Sequence, residues 1–353
     1  MTPDAREIIA RLEATGRATR DELAALLAAD EDDTAALFAA ADRVRAAAIG
    51  DEVQLRALVE FSNHCRRNCL YCGLRRDRRD LDRYRMTPGE ILDSCRAAAE
   101  LGFRTMVLQS GEDPHYTAPL LADLVRDIKR ECDVAVTLSI GERPREEYRL
   151  LREAGADRFL LRIETSSPEL YAQLHPDSDW YQRRECLYHL RDLGFQVGSG
   201  VLIGLPGQTH EMLADDLLFL QALELDMIGV GPFIPNPSTP LGGAFAGDLS
   251  LALRFVACLR LTCREALIPA TTALGALHPE GRQMALRAGA DVLMPNATPV
   301  TYRPRYELYP GKICLGEDAA TCRGCVEGML AGLGRTIATG PGHSRVGRCE
   351  ARP

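Results

Sequence analysis

The stretch RALVEFSNHCRRNCLYCGLRRD, Arg56–Asp77, decides how the rest of the chain is read. Its first half, RALVEFSN, is a short apolar run of the kind that forms a buried strand. Its second half is an arginine-rich loop with Cys65, Cys69 and Cys72 spaced C-x3-C-x2-C, and Tyr71 just before the last cysteine. Downstream, a strand-like run and a helix-like run keep alternating. RTMVLQS precedes APLLADLVRDIKRE, DVAVTLS precedes PREEYRLLREAG, and DRFLLRIET precedes WYQRRECLYHLRDLG. FQVGSGVLIGL, DMIGVGPFI, LIPATTAL and ADVLMPNA continue the rhythm to eight units. Such alternation implies a parallel sheet with helices outside, and eight units predict a closed (β/α)8 barrel rather than an open doubly wound sheet. The thiol loop follows the first strand, so it lies at the barrel mouth, where catalytic groups gather.

The barrel is assigned to residues 51–335, including a cysteine-bearing segment at 310–330. Residues 1–50 read as a helical extension, with apolar positions at helical spacing in REIIARLEA and DELAALLAA. Residues 336–353, which include His343 and Cys349, read as a flexible tail.

The 353 residues are 46% hydrophobic, enough for a large core, and 26% charged, which argues against disorder. A net charge of −8 argues against a nucleic-acid partner. No apolar run approaches membrane-spanning length, and MTPDAREIIARLEATGR lacks a signal-peptide core, so a cytoplasmic, membrane-free protein is expected. In a reducing compartment, clustered cysteines point to metal rather than disulfides. Cys95, Cys132, Cys186, Cys258, Cys263 and Cys349 are scattered and read as packing residues.

Structural zinc usually takes four protein ligands, and no fourth completes this loop; His64 adjoins Cys65 too closely to chelate the same ion well. A cuboidal 4Fe–4S cluster held by three thiolates keeps one iron open to a ligand. Strand four adds a second clue. Side chains alternate along a strand, so Arg158, Leu160, Arg162 and Glu164 share one face, and Phe159, Leu161 and Ile163 the other. The apolar face meets the helices, leaving the charged face inside. Either internal salt bridges or an anionic substrate must compensate those arginines.

The C-x3-C-x2-C loop with its aromatic resembles the signature of radical S-adenosylmethionine (SAM) enzymes. The resemblance implies that Cys65, Cys69 and Cys72 hold a 4Fe–4S cluster, that SAM chelates its open iron, and that one electron splits SAM into methionine and a 5′-deoxyadenosyl radical. It also implies a SAM site. Ser110, Gly111 and Glu112 would receive the amino group, Ser139 and Glu164 would lie nearby, and Arg183 would pair with the carboxylate. Gly204 and Pro206 would approach the adenine, and Tyr71 would flank the cluster.

The longer strings RYRMTP, VLQSGEDP, VTLSIGE, GLPGQT, IGVGPFIPNPSTPL, IPATTALG, VLMPN and LYPGKIC resemble the E-type H-cluster maturases of FeFe hydrogenases, over residues 50–330. That resemblance implies an anaerobic enzyme acting on the cysteine sulfur of a small iron–cysteine complex bearing carbon monoxide and cyanide. Its partners would be a tyrosine-cleaving radical SAM maturase and a GTPase scaffold. Gln109, Thr137, Arg158, Met227, Thr271, Thr272, Met294 and Tyr306 would line the substrate cavity, with Tyr302 a further candidate. Arg162 would serve both substrate and catalysis. Cys314, Cys322 and Cys325 resemble the family's optional second iron–sulfur site, of 2Fe–2S or 4Fe–4S type. Ile163 departs from the pattern, standing where the family has histidine. The alternatives are a methylornithine synthase-like mutase, a sulfur-inserting enzyme, and a non-catalytic iron–sulfur scaffold.

Overall fold

The computed structural model describes residues 4–346. Its parallel strands are β1 Glu52–Leu55, β2 Ala57–Ser62, β3 Thr105–Ser110, β4 Ala135–Ser139, β5 Arg158–Leu160, β6 Gln196–Ile203, β7 Met227–Pro232 and β8 Val292–Leu293, with a short β9 Thr336–Ile337. β2 to β7 pair in chain order. β1 and β2 are two halves of one extended segment divided at Arg56, and β8 pairs β1 while Asn296 bridges Leu58, which brings the sheet back to its start. The closed eight-unit barrel is therefore borne out.

LIPATTAL is its irregular member. Leu267, Pro269 and Ala270 form only isolated bridges, to Met227, Val292 and Val230. Pro269 has no N–H to give a ladder. A buried ion pair takes over that task. Asp291 sits 2.8 Å from the Arg260 guanidinium, both wholly buried, and its carboxylate also accepts from the Ile268 amide at 2.7 Å.

The helices begin where the sequence offers caps. Thr87 and Glu90 form a capping box ahead of Pro88–Glu100, and Thr117, Asp179, Thr209 and Asp248 cap later helices. The N-terminal helices α1 Ala5–Thr15, α2 Arg20–Leu27 and α3 Glu31–Ala48 lie outside the barrel. α2 packs on helix His210–Ala222, and α3 on helix Leu249–Thr262. Cys95, Cys132, Cys186 and Cys258 are buried among apolar side chains.

Two strands hollow the interior. Gly198 and Gly200 of β6 stand in register with Met227 and Gly229 of β7, and Gly231 pairs with Leu202. Without side chains at these alternate positions the barrel cannot fill as a packed core would. Accordingly Gln109, Ser139, Leu160, Arg162, Leu202, Thr271, Thr272 and Met294 stay only half-buried although they lie within the ring of strands.

The expectation of a flexible tail over 336–353 needs correction for residues 336–346. β9 pairs β1, and the next turn closes the lower, N-terminal end of the barrel. Arg158 donates to the Pro341 and Gly342 carbonyls at 2.6 and 2.9 Å, and Thr105 donates to Pro341 at 2.8 Å. The Ser344 amide bonds Gln196 at 2.9 Å, and His343 Nδ1 lies 2.8 Å from Gln196 Nε2. An inward arginine at that end needs acceptors, and the chain's own carbonyls supply them. Cys349 lies outside the described residues.

Candidate active site

The three-thiol loop is fixed from several directions. Arg83 donates to the carbonyls of Asn63, Leu74, Arg75 and Arg78, gathering four points of the loop on one guanidinium. The Gly73 amide donates to the Leu308 carbonyl at 2.9 Å, and a Cβ at Gly73 would lie 1.9 Å from the Glu307 oxygen. At the end of β3, a Cβ on Gly111 would lie 2.2 Å from the His64 oxygen, so only glycine lets this strand abut the loop. The Glu112 amide donates to Cys65 Sγ at 3.3 Å.

Burial pushes all three thiols up, Cys72 to about 12; Cys65 and Cys72 raise Cys69 further, and Cys65 raises Cys72. Three thiols thus crowd one dry space in which Arg83 and Arg183 supply only part of the positive charge that thiolates need. Among the described residues, no three His, Cys, Asp or Glu side chains converge tightly enough for a single metal ion. This donor set suits a larger, multiply positive iron–sulfur cluster, which would supply that charge.

Around the loop, several residues expected to touch SAM have other work. The Glu112 carboxylate accepts from Arg66 at 2.6 Å, Arg67 at 2.8 Å and the Glu142 amide at 3.0 Å, so it anchors the loop. Arg183 gives Nε to the Arg162 carbonyl and one Nη1 proton to Glu142 at 2.8 Å, leaving Nη2 as the end with both protons for a carboxylate. The Ser110 hydroxyl donates to the Gly111 carbonyl at 2.6 Å. Ser139 ends β4 in register with Gln109, facing the same interior. Gly204, at φ +84°, turns the chain after β6 against Gly247, and Pro206 is exposed on the rim. Tyr71 is packed beside the loop and bonds His175 Nε2 at 3.0 Å; burial drives that imidazole down to about 3, so it stays neutral.

Arg162 and Glu164 form the most unusual pair. Glu164 has φ +69°, a left-handed backbone that non-glycine residues seldom adopt. Its Oε2 lies 3.1 Å from Arg162 Nε, yet the two are misaligned and neither atom is hydrogen-bonded. Glu164 lies close enough to the loop to raise Cys69, Cys72 and Tyr71. Unsatisfied opposite charges beside the cysteines fit the amino and carboxylate groups of SAM.

Of the residues assigned to substrate, Gln109 bonds the Tyr306 hydroxyl at 3.3 Å, Thr272 bonds the Tyr309 hydroxyl at 2.9 Å, and Thr271 donates to the Val230 carbonyl at 3.0 Å. Thr137 has a buried hydroxyl without a partner. Three assignments are corrected. Arg158 sits at the closed lower end, saturated by the tail. Met227 begins β7 at that lower level, with its sulfur against Arg56. Tyr302 points outward, stacking on Tyr84 and bonding Glu90 at 2.7 Å. Met294 packs inside, near Met227 and Leu160. Ile163 is fully buried on the helix-facing side, as alternation requires.

Cys314, Cys322 and Cys325 line one small cavity. A hydrogen bond from Cys314 and the Arg303 guanidinium lower Cys322, and Cys314 has φ +61°. Arg303 also binds the Cys314 carbonyl at 3.1 Å, fixing the segment. Sequence reading missed Arg83 as the clamp of the loop, although it stands in the RYRM string. It also missed the alternating glycines, whose period of two signals a hollowed interior.

The radical SAM superfamily profile matches residues 59–220. Over 331 residues, 94% of this chain and 94% of the relative, the chain is 51% identical to the FeFe hydrogenase maturase subunit HydE of Thermotoga maritima. This chain belongs to the HydE family. HydE proteins are radical SAM enzymes, and membership implies a 4Fe–4S cluster and SAM. The crystal structure of methylornithine synthase (PylB) superposes with a TM-score of 0.82 at 27% identity, over 94% of this chain and 97% of that one. The FeFe-hydrogenase maturase HydG of Carboxydothermus hydrogenoformans, at 22% identity, shares the fold with a TM-score of 0.81 over 95% and 79%. The HydE match exceeds both in identity, which favours a hydrogenase maturase over a methylornithine-type mutase. Among the described residues no helix is long and apolar enough to cross a membrane.

Proposed function

We propose that this HydE-family enzyme acts in the cytoplasm, without oxygen, on a small cysteine-derived iron carbonyl–cyanide complex, directing radical chemistry at the cysteine sulfur during assembly of the H-cluster diiron site. The observation that carries this reading is the misaligned Arg162–Glu164 pair near the cysteine loop, on an inner wall where Gln109, Ser139, Thr271 and Thr272 stay half-buried. When bound, the cluster and SAM supply a single electron and a 5′-deoxyadenosyl radical. The chain does the rest. Cys65, Cys69 and Cys72 hold the cluster, and Arg83, Gly73 and Gly111 fix its loop. Glu164 and Nη2 of Arg183 hold the amino-acid end of SAM, and Arg162 bridges that site and the substrate. Gln109, Thr271, Thr272, Met294 and Tyr306 surround the substrate, while the tail keeps water out from below.

The tyrosine-cleaving maturase would supply the substrate and the GTPase scaffold would receive the product. Cys314, Cys322 and Cys325 would hold a second cluster of 2Fe–2S or 4Fe–4S type. Anaerobic reconstitution with SAM, a reductant and the iron–cysteine complex tests the reading. A deoxyadenosyl–sulfur adduct is expected. Deoxyadenosine formed only through hydrogen abstraction would point instead to a mutase. No SAM cleavage at all would point to a scaffold. Cys69→Ala should abolish SAM cleavage.

A further inference from the structure

Glu60 is an inward residue of β2 and is only 1% exposed. Lys312 reaches it from the strap 306–314, setting Nζ 2.5 and 2.6 Å from the two carboxylate oxygens. Asn296 Nδ2 holds the same carboxylate at 2.9 Å. Gln109, the register partner of Glu60, reaches Tyr306 at the start of the strap, and Thr272 meets Tyr309 farther along it. Thr272 adjoins Thr271, whose hydroxyl donates to the Val230 carbonyl, so Tyr309 carries the strap to the inner ends of the sixth and seventh barrel units. Lys312, Asn296, Met294 and Thr272 border the same cavity that Cys314, Cys322 and Cys325 line from its other side.

The strap does not need this pair to stay in place. Glu307 already binds Arg78 at 2.6 Å, Leu308 accepts from Gly73, and Arg303 binds the Cys314 carbonyl. A buried ion pair adds little net stability compared with apolar residues of similar volume, because both charges must be desolvated. A wall that carries a cation, a carboxylate, two amides and two phenols suits a small zwitterion better than it suits packing. The ammonium also retains capacity: beyond Glu60, its third proton has only a 3.4 Å contact with the Tyr306 carbonyl.

We propose that Lys312 and Glu60 are specificity-determining residues that read the α-amino-acid end of the substrate. Lys312 takes its carboxylate and Glu60 its amino group, exchanging one internal ion pair for two charge-assisted contacts. This rests on the cysteine-derived substrate proposed above. It adds a demand on that substrate: both the amino and the carboxylate groups must be present and uncapped.

The test uses the reconstituted enzyme with three anaerobic iron carbonyl–cyanide complexes, built on L-cysteine, on cysteamine, which lacks the carboxylate, and on 3-mercaptopropionate, which lacks the amine. Release of methionine, together with the deoxyadenosyl–sulfur adduct, gives KM and kcat, and the carbonyl infrared bands report binding directly. Wild type should favour the L-cysteine complex by about tenfold or more, the worth of one good contact. Lys312→Met should raise KM for the two carboxylate-bearing complexes about tenfold with little change in kcat, and spare the cysteamine complex. Glu60→Gln should do the same for the amine-bearing pair, and Lys312→Arg should keep the wild-type preference. Unchanged KM values in both variants, or an equal loss on all three complexes, would overturn the assignment. A wild type that binds and turns over none of them would overturn the parent reading as well.

Discussion

Gly111→Ala tests the contact between the end of β3 and the cluster loop. The new methyl carbon would lie 2.2 Å from the His64 carbonyl oxygen and 2.8 Å from Cys65 Cβ, and real side chains do not approach below 3.0 Å. Both obstacles belong to the cluster loop, not to a flexible side-chain end. The end of β3 and the loop must therefore separate by about 0.8 Å. Overpacking of this kind costs about 1–3 kcal/mol, which a domain of this size survives. The function should not survive as well, because a displacement of about 1 Å in a reacting group costs on the order of 100-fold in rate. The expected result is a folded protein with a modestly lower melting temperature, a shifted cluster EPR signal and SAM cleavage down about 100-fold. Gly243→Ala, on the rim where nothing lies within 4 Å, serves as the control and should change neither. Full SAM cleavage with an unaltered EPR signal in Gly111→Ala would show that the loop does not depend on this contact.

Other consequences follow from buried charge. Burial raises Asp216 to about 7, although Ser166, Thr165 and Gln208 all donate to it. The folded state therefore binds a proton that the unfolded state releases near pH 4, so this group's stabilisation is complete below pH 4 and lost as pH rises to 7. Thermal melts of Asp216→Asn should lack that decline; an identical pH slope in both proteins would count against it. Truncation after Thr339 removes two carbonyl acceptors from Arg158 and should cost about 2–3 kcal/mol, or ~5 °C in melting temperature; an unchanged melt would mean that water replaces the tail without penalty. Arg183→Met leaves Glu142 with Arg67 as its main cation and should destabilise by about 3 kcal/mol in denaturant titration; a change below 1 kcal/mol would show that Arg67 suffices.

The legibility of this chain divides along physical lines. Hydrophobic periodicity and spacing are local properties, so the βα rhythm, the thiol loop and its place after the first strand could be read directly. Strand alternation likewise put Ile163 outward and Arg162 with Glu164 inward. It could not say how far along the barrel each inward residue would sit. Arg158 and Arg162 share a face, yet one meets the tail at the closed end and the other stands near the cysteines. The tail looked unstructured because its polar, glycine-containing sequence has no apolar face. Its order comes from carbonyls meeting an arginine 183 and 184 residues earlier, a contact no local pattern encodes.

The same limit applies to charge. The resemblance marked Glu112 and Arg183 as SAM ligands, but it could not show the guanidinium and the carboxylate that folding also brought within 3 Å of them. Sequence by itself determined the barrel, the three-cysteine site and the family, because these rest on spacing and composition along the chain. Tertiary structure alone decided which charges are already spent and which remain for ligands, because hydrogen-bond satisfaction depends on distances between residues far apart in sequence.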